Sequence, residues 1–289
     1  MEQKKNYTLP IVMMFLLFAM ISFVTGLSNP LGVIVKNQFA VANWMSQLGN
    51  FANFIAYAVM GIPAGMMLKR IGYKKTALAA VAVGFVGVGI QYLSGIAGSF
   101  PVYLIGAFVS GFSMCMLNTV VNPMLNKLGG GGNKGNQLIQ AGGSFNSLCG
   151  TAVIILTGLL IPEGIKNAQL SNVFPLMYGA LAIFAFAFIV IALTKIPETQ
   201  KTEGKKVAET SKYSPLSFRH FILGSVAIFV YVGVEVGVPN VLQKWLQNPE
   251  LNVLGSGVNV EAIAGSVAAT YWLLMLVGRL LGAMIGSKV

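Results

Sequence analysis

The sequence predicts an all-α membrane protein, because it is rich in apolar residues and these lie in long blocks. Of its 289 residues, 55% are hydrophobic and only 9% are charged. Soluble domains carry about a quarter charged residues, so this composition is typical of a protein embedded in lipid. A helix needs about 20 apolar residues to cross a bilayer, and several blocks of the chain reach that length. The lipid bilayer is therefore the first predicted partner.

Eight apolar blocks are long enough to be predicted spans, and one charged stretch separates the first six from the last two. That stretch, residues 195–217, includes KTEGKKVAETSK and is typical of a solvated linker. We expect a six-helix N-terminal bundle over residues 1–194 and the beginning of a second bundle over residues 218–289. The predicted helices run from about Leu9 to Val35, Met45 to Leu68, Thr76 to Leu93, Val102 to Leu125, Gln140 to Leu160, Val173 to Leu193, Phe218 to Leu242 and Val260 to Ile285.

The basic residues predict how the chain is oriented in the membrane. When the N-terminus is placed in the cytoplasm, all but three of the 19 Lys and Arg residues fall on the cytoplasmic side, the exceptions being Lys36, Lys166 and Lys244. Cytoplasmic loops of membrane proteins carry such an excess. The distribution predicts a multi-pass inner-membrane protein with a cytoplasmic N-terminus. It also attributes the net charge of +11 to topology, so we expect no nucleic acid as a partner.

The chain offers little for catalysis or metal binding. It has one histidine, His220, no aspartate, and two cysteines, Cys115 and Cys149, which both lie in apolar segments. Catalytic sets and metal centres need clusters of such residues, so we expect no enzyme activity, no cofactor and no metal site. The glycine run LGGGGNKGN, residues 128–136, lacks the ending of a phosphate-binding loop and follows no strand. It predicts a flexible connector instead.

The fourth predicted helix carries the polar residues around which the chain is organised. Asn118 and Asn122 are four residues apart and share one helix face, with Thr119 beside them and Pro123 following. Amides in an apolar helix are costly unless they find partners or water. Two interpretations stay open from this stretch. The amides line the path of a polar solute, or they bond a neighbouring helix.

Glu235 is the only acidic residue deep inside a predicted span. An intramembrane carboxylate must be protonated, paired or hydrated, so it is a functional candidate by default. The alternative is a structural pair with a basic residue such as Arg279, near the cytoplasmic end of the eighth predicted helix.

The loop between the second and third predicted helices, GMMLKRIGYKK, has an informative spacing. Its glycines and basic residues are Gly65, Lys69, Arg70, Gly72, Lys74 and Lys75. We expect Gly65 to allow close helix approach and Gly72 to permit a tight turn. The spacing resembles the cytoplasmic loop signature of the major facilitator superfamily, in which an acid occupies the place of Lys69. The resemblance implies a gating loop that lacks its usual acidic contact.

Six stretches resemble one branch of that superfamily, the fucose–proton symporter and glucose/galactose transporter family. They are NPLGVIVKNQF (Asn29–Phe39), IPAGMMLKRIGYK (Ile62–Lys74), NTVVNPMLNKLG (Asn118–Gly129), SFNSLCG (Ser144–Gly150), YVGVEVG (Tyr231–Gly237) and GRLLG (Gly278–Gly282). The resemblance implies the major facilitator fold, with the six-helix N-terminal half followed by the first two helices of the C-terminal half. Because relatives continue to twelve helices, we expect this chain to be a fragment.

The resemblance also implies which residues carry function. Fucose symporters have carboxylates at the position of Asn118 and at about Val33, so the proton-carrier role does not transfer to these uncharged residues. Asn122 and Asn146 match family positions, and Gln140 lies one turn before the family's helix-five glutamine position, here Gly143. The predicted substrate-binding residues are Asn29, Asn118, Asn122, Gln140, Asn146 and Glu235.

The implied function is import of a monosaccharide such as glucose, galactose or fucose by alternating access. The hypothesis for Glu235 is that it binds sugar hydroxyls or serves the coupling ion. Coupling to protons, to sodium or to no ion stays open. The alternatives are a sugar sensor that does not transport and a transporter of another small polar solute.

Overall fold

The structure, a computed structural model, describes residues 7–160, 169–194, 217–246, 251, 253, 255 and 260–285. Its elements are α1 (Thr8–Gln38), α2 (Asn43–Ser46), α3 (Leu48–Ala97), α4 (Phe100–Leu128), α5 (Gly132–Leu160), a 3-10 helix (Leu170–Val173), α6 (Phe174–Leu193), α7 (Arg219–Leu246) and α8 (Val260–Ile285). Among the described residues, seven helices are long and apolar enough to cross a membrane, and this confirms the all-α membrane class. The predicted linker lies outside the described residues, apart from Ser217.

The chain divides into two compact units. The first comprises Met1–Thr199 and Leu276–Val289, and the second comprises Gln200–Met275. The buried core belongs to the first unit, where α1 contributes side chains with no exposed surface such as Met14, Leu17 and Ile34. In the second unit α7 exposes most of its described side chains, and Phe229 is 80% exposed.

The element α3 consists of two helical arms that meet at Gly72, where the chain folds back on itself. Gly72 has φ 81° and ψ 176°, a conformation that only glycine adopts readily. The α4 neighbours Ser110 and Gly111 show the reversal, because Gly87 approaches Ser110 while Ala56 approaches Gly111. Two positions so far apart on a straight helix would not reach adjacent residues. The second and third predicted helices therefore correspond to two apolar arms, 48–71 and 73–97, on either side of the turn at Gly72.

Small residues bring the two arms of α3 against α4. A Cβ at Gly87 would lie 2.6 Å from the Ser110 backbone nitrogen, so the two backbones touch there. The buried Gln91 amide donates to the Ser110 hydroxyl at 3.1 Å, and the Ser113 hydroxyl donates to the Ala80 carbonyl at 2.6 Å. Lipid gives helices no hydrophobic reason to associate, so close packing and such hydrogen bonds hold this pair together.

One expectation about glycines is wrong, and one gains no support. A Cβ built at Gly65 meets nothing within 4 Å among the described residues, so these residues show no close helix approach there. The glycine run is not a connector throughout, because α5 begins at Gly132 rather than at Gln140. Within the run, only Gly130, Gly131 and Gly132 have positive φ, and the chain is helical from there on. The turn between α4 and α5 is therefore short.

Candidate functional site

The predicted polar face of α4 is a hydrogen-bonded ladder. The Asn122 side-chain amide donates to the Asn118 backbone carbonyl at 3.1 Å and lies 3.5 Å from the Asn118 side-chain oxygen. The Thr119 hydroxyl donates to the Cys115 carbonyl at 2.8 Å. Because Asn118 and Asn122 are one helical turn apart, the spacing that the sequence shows is sufficient to join them.

Tyr57, on the first arm of α3, joins this ladder from a second helix. The Asn118 amide donates to the Tyr57 hydroxyl at 3.0 Å and to the Met114 carbonyl at 3.2 Å. The Cys115 thiol donates to the Tyr57 backbone carbonyl at 3.6 Å. Tyr57 was not among the predicted site residues, because a tyrosine in an apolar helix carries no distinguishing pattern. The same arm approaches α4 closely, because a Cβ at Gly111 would lie 2.8 Å from the Asn53 carbonyl oxygen.

Asn146 lies on α5 and bonds α1. Its side-chain amide donates to the Phe18 carbonyl at 2.9 Å. The two helices approach closely there, because a Cβ at Gly142 would lie 2.7 Å from the Phe18 ring and a Cβ at Gly150 would lie 2.7 Å from the Ser22 hydroxyl. The side-chain nitrogen of Asn146 therefore bonds a neighbouring helix, and its side-chain oxygen can still accept a hydrogen bond.

The Arg279 side chain, from α8, bonds α5 around Gly143, the position where the resemblance places a glutamine. Within the first unit, the Arg279 guanidinium donates to the Gly143 carbonyl at 3.1 Å and to the Ser147 hydroxyl at 2.7 Å. The Ser147 hydroxyl itself donates to the Gly143 carbonyl at 3.1 Å. The Gln140 side chain is exposed. Arg279 was expected as a possible partner of Glu235, and its contacts with α5 were not predicted.

Asn29 and Glu235 complete the predicted substrate residues. Asn29 is within α1, but its side chain is outside the described residues. Glu235 is half-buried on α7 and belongs to the second unit, which is described separately. The structure thus joins Asn118 with Asn122 and gives Asn146 a partner on α1.

The predicted gating loop surrounds the reversal at Gly72. The Lys69, Arg70 and Lys75 side chains are exposed. The Lys74 ammonium donates to the Ala192 carbonyl at 2.7 Å, one residue before the end of α6. A cation at a helix C-terminus stabilises the unpaired carbonyls there. The loop is thereby fixed to a neighbouring helix of the first unit.

The ladder, formed by Asn118, Asn122, Thr119 and Cys115 of α4 with Tyr57 of α3, is uncharged. Such groups suit a neutral solute that both donates and accepts hydrogen bonds, because a bare charge would find no opposite charge among them. Across the described residues, no three His, Cys, Asp or Glu side chains come together as metal ligands would.

Several known proteins resemble the chain. A glucose/galactose transporter of Brucella abortus is 30% identical over 287 residues, covering 98% of this chain and 68% of that protein. A putative glucose/galactose transporter of Helicobacter pylori is 30% identical, covering 99% and 70%. The L-fucose-proton symporter of Escherichia coli is 21% identical, covering 99% and 69%.

Solved structures agree in fold. The crystal structure of the transporter FucP in the outward conformation superposes with a TM-score of 0.79 at 20% identity, covering 98% of this chain and 72% of that one. The chain matches the Major Facilitator Superfamily over residues 13–289. With its seven membrane-length helices, this is a multi-pass membrane protein, and it belongs to the Major Facilitator Superfamily.

Proposed function

We propose that the protein is a secondary active transporter that imports a monosaccharide of the glucose, galactose or fucose type by alternating access. The observation that carries this proposal is the uncharged ladder of Asn118, Asn122 and Tyr57 at the place where the family resemblance implies a sugar site. Amide and phenol groups bond hydroxyls in both directions. The names of the relatives from Brucella abortus and Helicobacter pylori support glucose or galactose as substrates.

The substrate-binding set combines the ladder with residues on other helices. It comprises Asn29, Asn118, Asn122, Gln140, Asn146 and Glu235. Asn118 and Asn122 are the two members that hydrogen-bond each other, and the other four are assigned by the resemblance and by their polarity within apolar helices. A few polar groups in an otherwise apolar wall are the usual composition of a small-molecule site.

Coupling to an ion rests on Glu235, since Asn118 and Val33 are uncharged. The relatives named L-fucose-proton symporters support the proton over sodium as the coupling ion. Replacing Glu235 by Gln is expected to abolish gradient dependence while keeping a polar group of the same size. Unchanged uptake and unchanged gradient dependence in that variant would remove Glu235 from the mechanism.

The orientation follows from charge. We assign the N-terminus, the loop from Gly65 to Lys75 and the residue 195–217 linker to the cytoplasmic side of the inner membrane, because nearly all basic residues then lie there. The loop would act as the cytoplasmic gate, with Lys74 holding its position against α6. Cysteine accessibility at position 75 from each side of sealed vesicles tests this assignment.

The deciding experiment is uptake of labelled glucose, galactose and fucose into proteoliposomes holding the full chain, with imposed proton or sodium gradients. The proposal expects concentrative uptake of one of these sugars that a proton gradient drives. Uptake driven by sodium alone would show that sodium, not the proton, is the coupling ion. Uptake without any gradient dependence would indicate a uniporter. Sugar binding without flux would indicate a sensor and overturn the transport proposal, and a response to another polar solute alone would overturn the substrate.

A further inference from the structure

We infer that Tyr57 determines specificity, by donating its phenolic hydrogen to one oxygen of the substrate while it holds the Asn118 amide in place. The inference rests on the proposed function and deepens it, because it names a direct contact and the hydrogen-bonding pattern of the site. Tyr57 lies on the first arm of α3, outside the residues that the family resemblance assigns.

The direction of the hydrogen bonds in the ladder follows from carbonyl groups, which only accept. The Asn118 side-chain atom that lies 3.2 Å from the Met114 carbonyl must be the amide nitrogen. The same nitrogen lies 3.0 Å from the Tyr57 hydroxyl, so that hydroxyl accepts. Both hydrogens of the Asn118 amide are then engaged, and the phenolic hydrogen of Tyr57 stays available for another acceptor.

Asn122 obeys the same rule. Its nitrogen donates to the Asn118 backbone carbonyl at 3.1 Å, and the Asn118 side-chain oxygen, 3.5 Å away, is a second and weaker acceptor. The thiol of Cys115 and the hydroxyl of Thr119 donate to the carbonyls of Tyr57 and Cys115. The donors on this face of α4 are therefore bound within the protein, and what they leave for a solute is amide oxygen.

The consequence is a defined pattern of one donor and two acceptors. The donor is the Tyr57 hydroxyl, whose hydrogen has no acceptor among the described residues, and the acceptors are the side-chain oxygens of Asn118 and Asn122. Hydroxyl groups that each donate and accept complement this pattern. A carboxylate would face two amide oxygens and gain a single donor, so neutral polyhydroxylated solutes are the favoured class.

The test combines Tyr57→Phe with a series of deoxysugars that each lack one hydroxyl, using equilibrium binding to the full chain in detergent. Tyr92→Phe is the matched control, because it removes a hydroxyl from the other arm of the same helix, where Tyr92 and Tyr178 oxygens lie 2.6 Å apart. Tyr57→Phe is expected to weaken binding of the parent sugar roughly five- to tenfold, and Tyr92→Phe to leave it unchanged.

The deoxysugars separate a direct contact from a positioning role. One of them, lacking the oxygen that Tyr57 contacts, is expected to bind the wild type and Tyr57→Phe equally. An equal weakening for every deoxysugar would mean that Tyr57 acts only through Asn118, and no weakening at all would remove it from the site. Both results overturn the inference alone, whereas a wild type that binds none of the sugars overturns the proposed function and this inference together.

A second substitution keeps the test valid where Tyr57→Phe does not fold. A fluorinated tyrosine at position 57 has nearly the same shape and a more acidic, stronger hydrogen-bond donor. It is expected to tighten binding of the parent sugar about two- to threefold while leaving the deoxysugar without the contacted oxygen unchanged. Equal effects on both sugars would contradict a direct contact.

Discussion

The Arg279 guanidinium donates a 2.7 Å hydrogen bond to the Ser147 hydroxyl. A second bond, at 3.1 Å, reaches the Gly143 carbonyl one turn earlier on α5. The end of α8 is tied to α5 a second time, because the Gln137 amide donates to the Ala283 carbonyl at 2.9 Å. A charge among apolar helices needs such partners, so these contacts explain how this region accommodates an arginine.

Ser147→Ala is expected to destabilise the protein, because it removes the acceptor of a hydrogen bond from a charged donor. Such bonds contribute about 1.5–3 kcal/mol, which we expect as the loss in the free energy of unfolding. Ser144→Ala is the matched control, since both serines are 3% exposed and, among the described residues, the Ser144 hydroxyl bonds only its own helix at Gln140. Thermal unfolding in detergent compares the two variants, and equal melting temperatures would show that the Arg279 contact contributes nothing measurable.

Gly72→Ala is expected to cost about 1–3 kcal/mol, because alanine is strained at a φ of 81° and ψ of 176°. Gly65→Ala is the control within the same loop signature. Its Cβ meets nothing within 4 Å in the described structure, and its φ is not positive, so alanine there is expected to be neutral or slightly stabilising. Melting temperatures of the two variants measure this difference in stability. A Gly72→Ala variant as stable as wild type would contradict the reversal at this residue.

Gly87→Ala is expected to push α3 away from α4. The added Cβ would lie 2.6 Å from the Ser110 backbone nitrogen and 2.9 Å from its Cα, neither of which can rotate away. Overpacking of this kind costs about 1–3 kcal/mol. Gly89→Ala, on the same arm, adds a methyl group where nothing lies within 4 Å in the described residues, and it should melt like the wild type. Equal melting of both variants would mean that the helices separate without cost.

Helix positions could be predicted where one apolar block makes one helix. The predicted eighth helix agrees with α8, and the predicted fourth helix lies inside α4, because hydropathy alone defines such blocks. The start of α5 could not be predicted, since a glycine run opposes helix by propensity. It forms helix here because close approach compensates, as where a Cβ at Gly135 would lie 2.7 Å from the Asn126 carbonyl.

Only the contacts of the site within one helix could be predicted. Asn118 and Asn122 share a face through helical periodicity, which the sequence displays directly. Tyr57 and Arg279 make their contacts from helices that are distant in sequence, and nothing in the sequence fixes the rotation of one helix against another. Asn118 and Tyr57 are 61 residues apart, and Arg279 and Gly143 are 136 apart. Such contacts depend on how the helices pack, which the sequence does not display.

Asn118→Asp is expected to make sugar binding depend on pH, unlike binding to the wild type. The protonated carboxyl can still donate to the Met114 carbonyl or to Tyr57, as the amide does at 3.2 Å and 3.0 Å. The ionised carboxylate has no donor, so it repels the Met114 carbonyl and attracts the Tyr57 hydrogen away from the substrate.

The sign of the pH dependence follows from these two forms of the Asn118→Asp variant. Sugar affinity is expected to be highest at acidic pH and to fall as the pH rises and the carboxyl group ionises, by about tenfold if one hydrogen bond is lost. Asn126→Asp is the control, because Asn126 lies on the same helix but bonds Asn136 at 3.3 Å, away from the ladder. Binding measured between about pH 4 and pH 8 covers ionisation of a carboxyl group. Parallel pH profiles for the two variants would show that Asn118 does not face the substrate, and would return it to the role of a bond between α4 and α3.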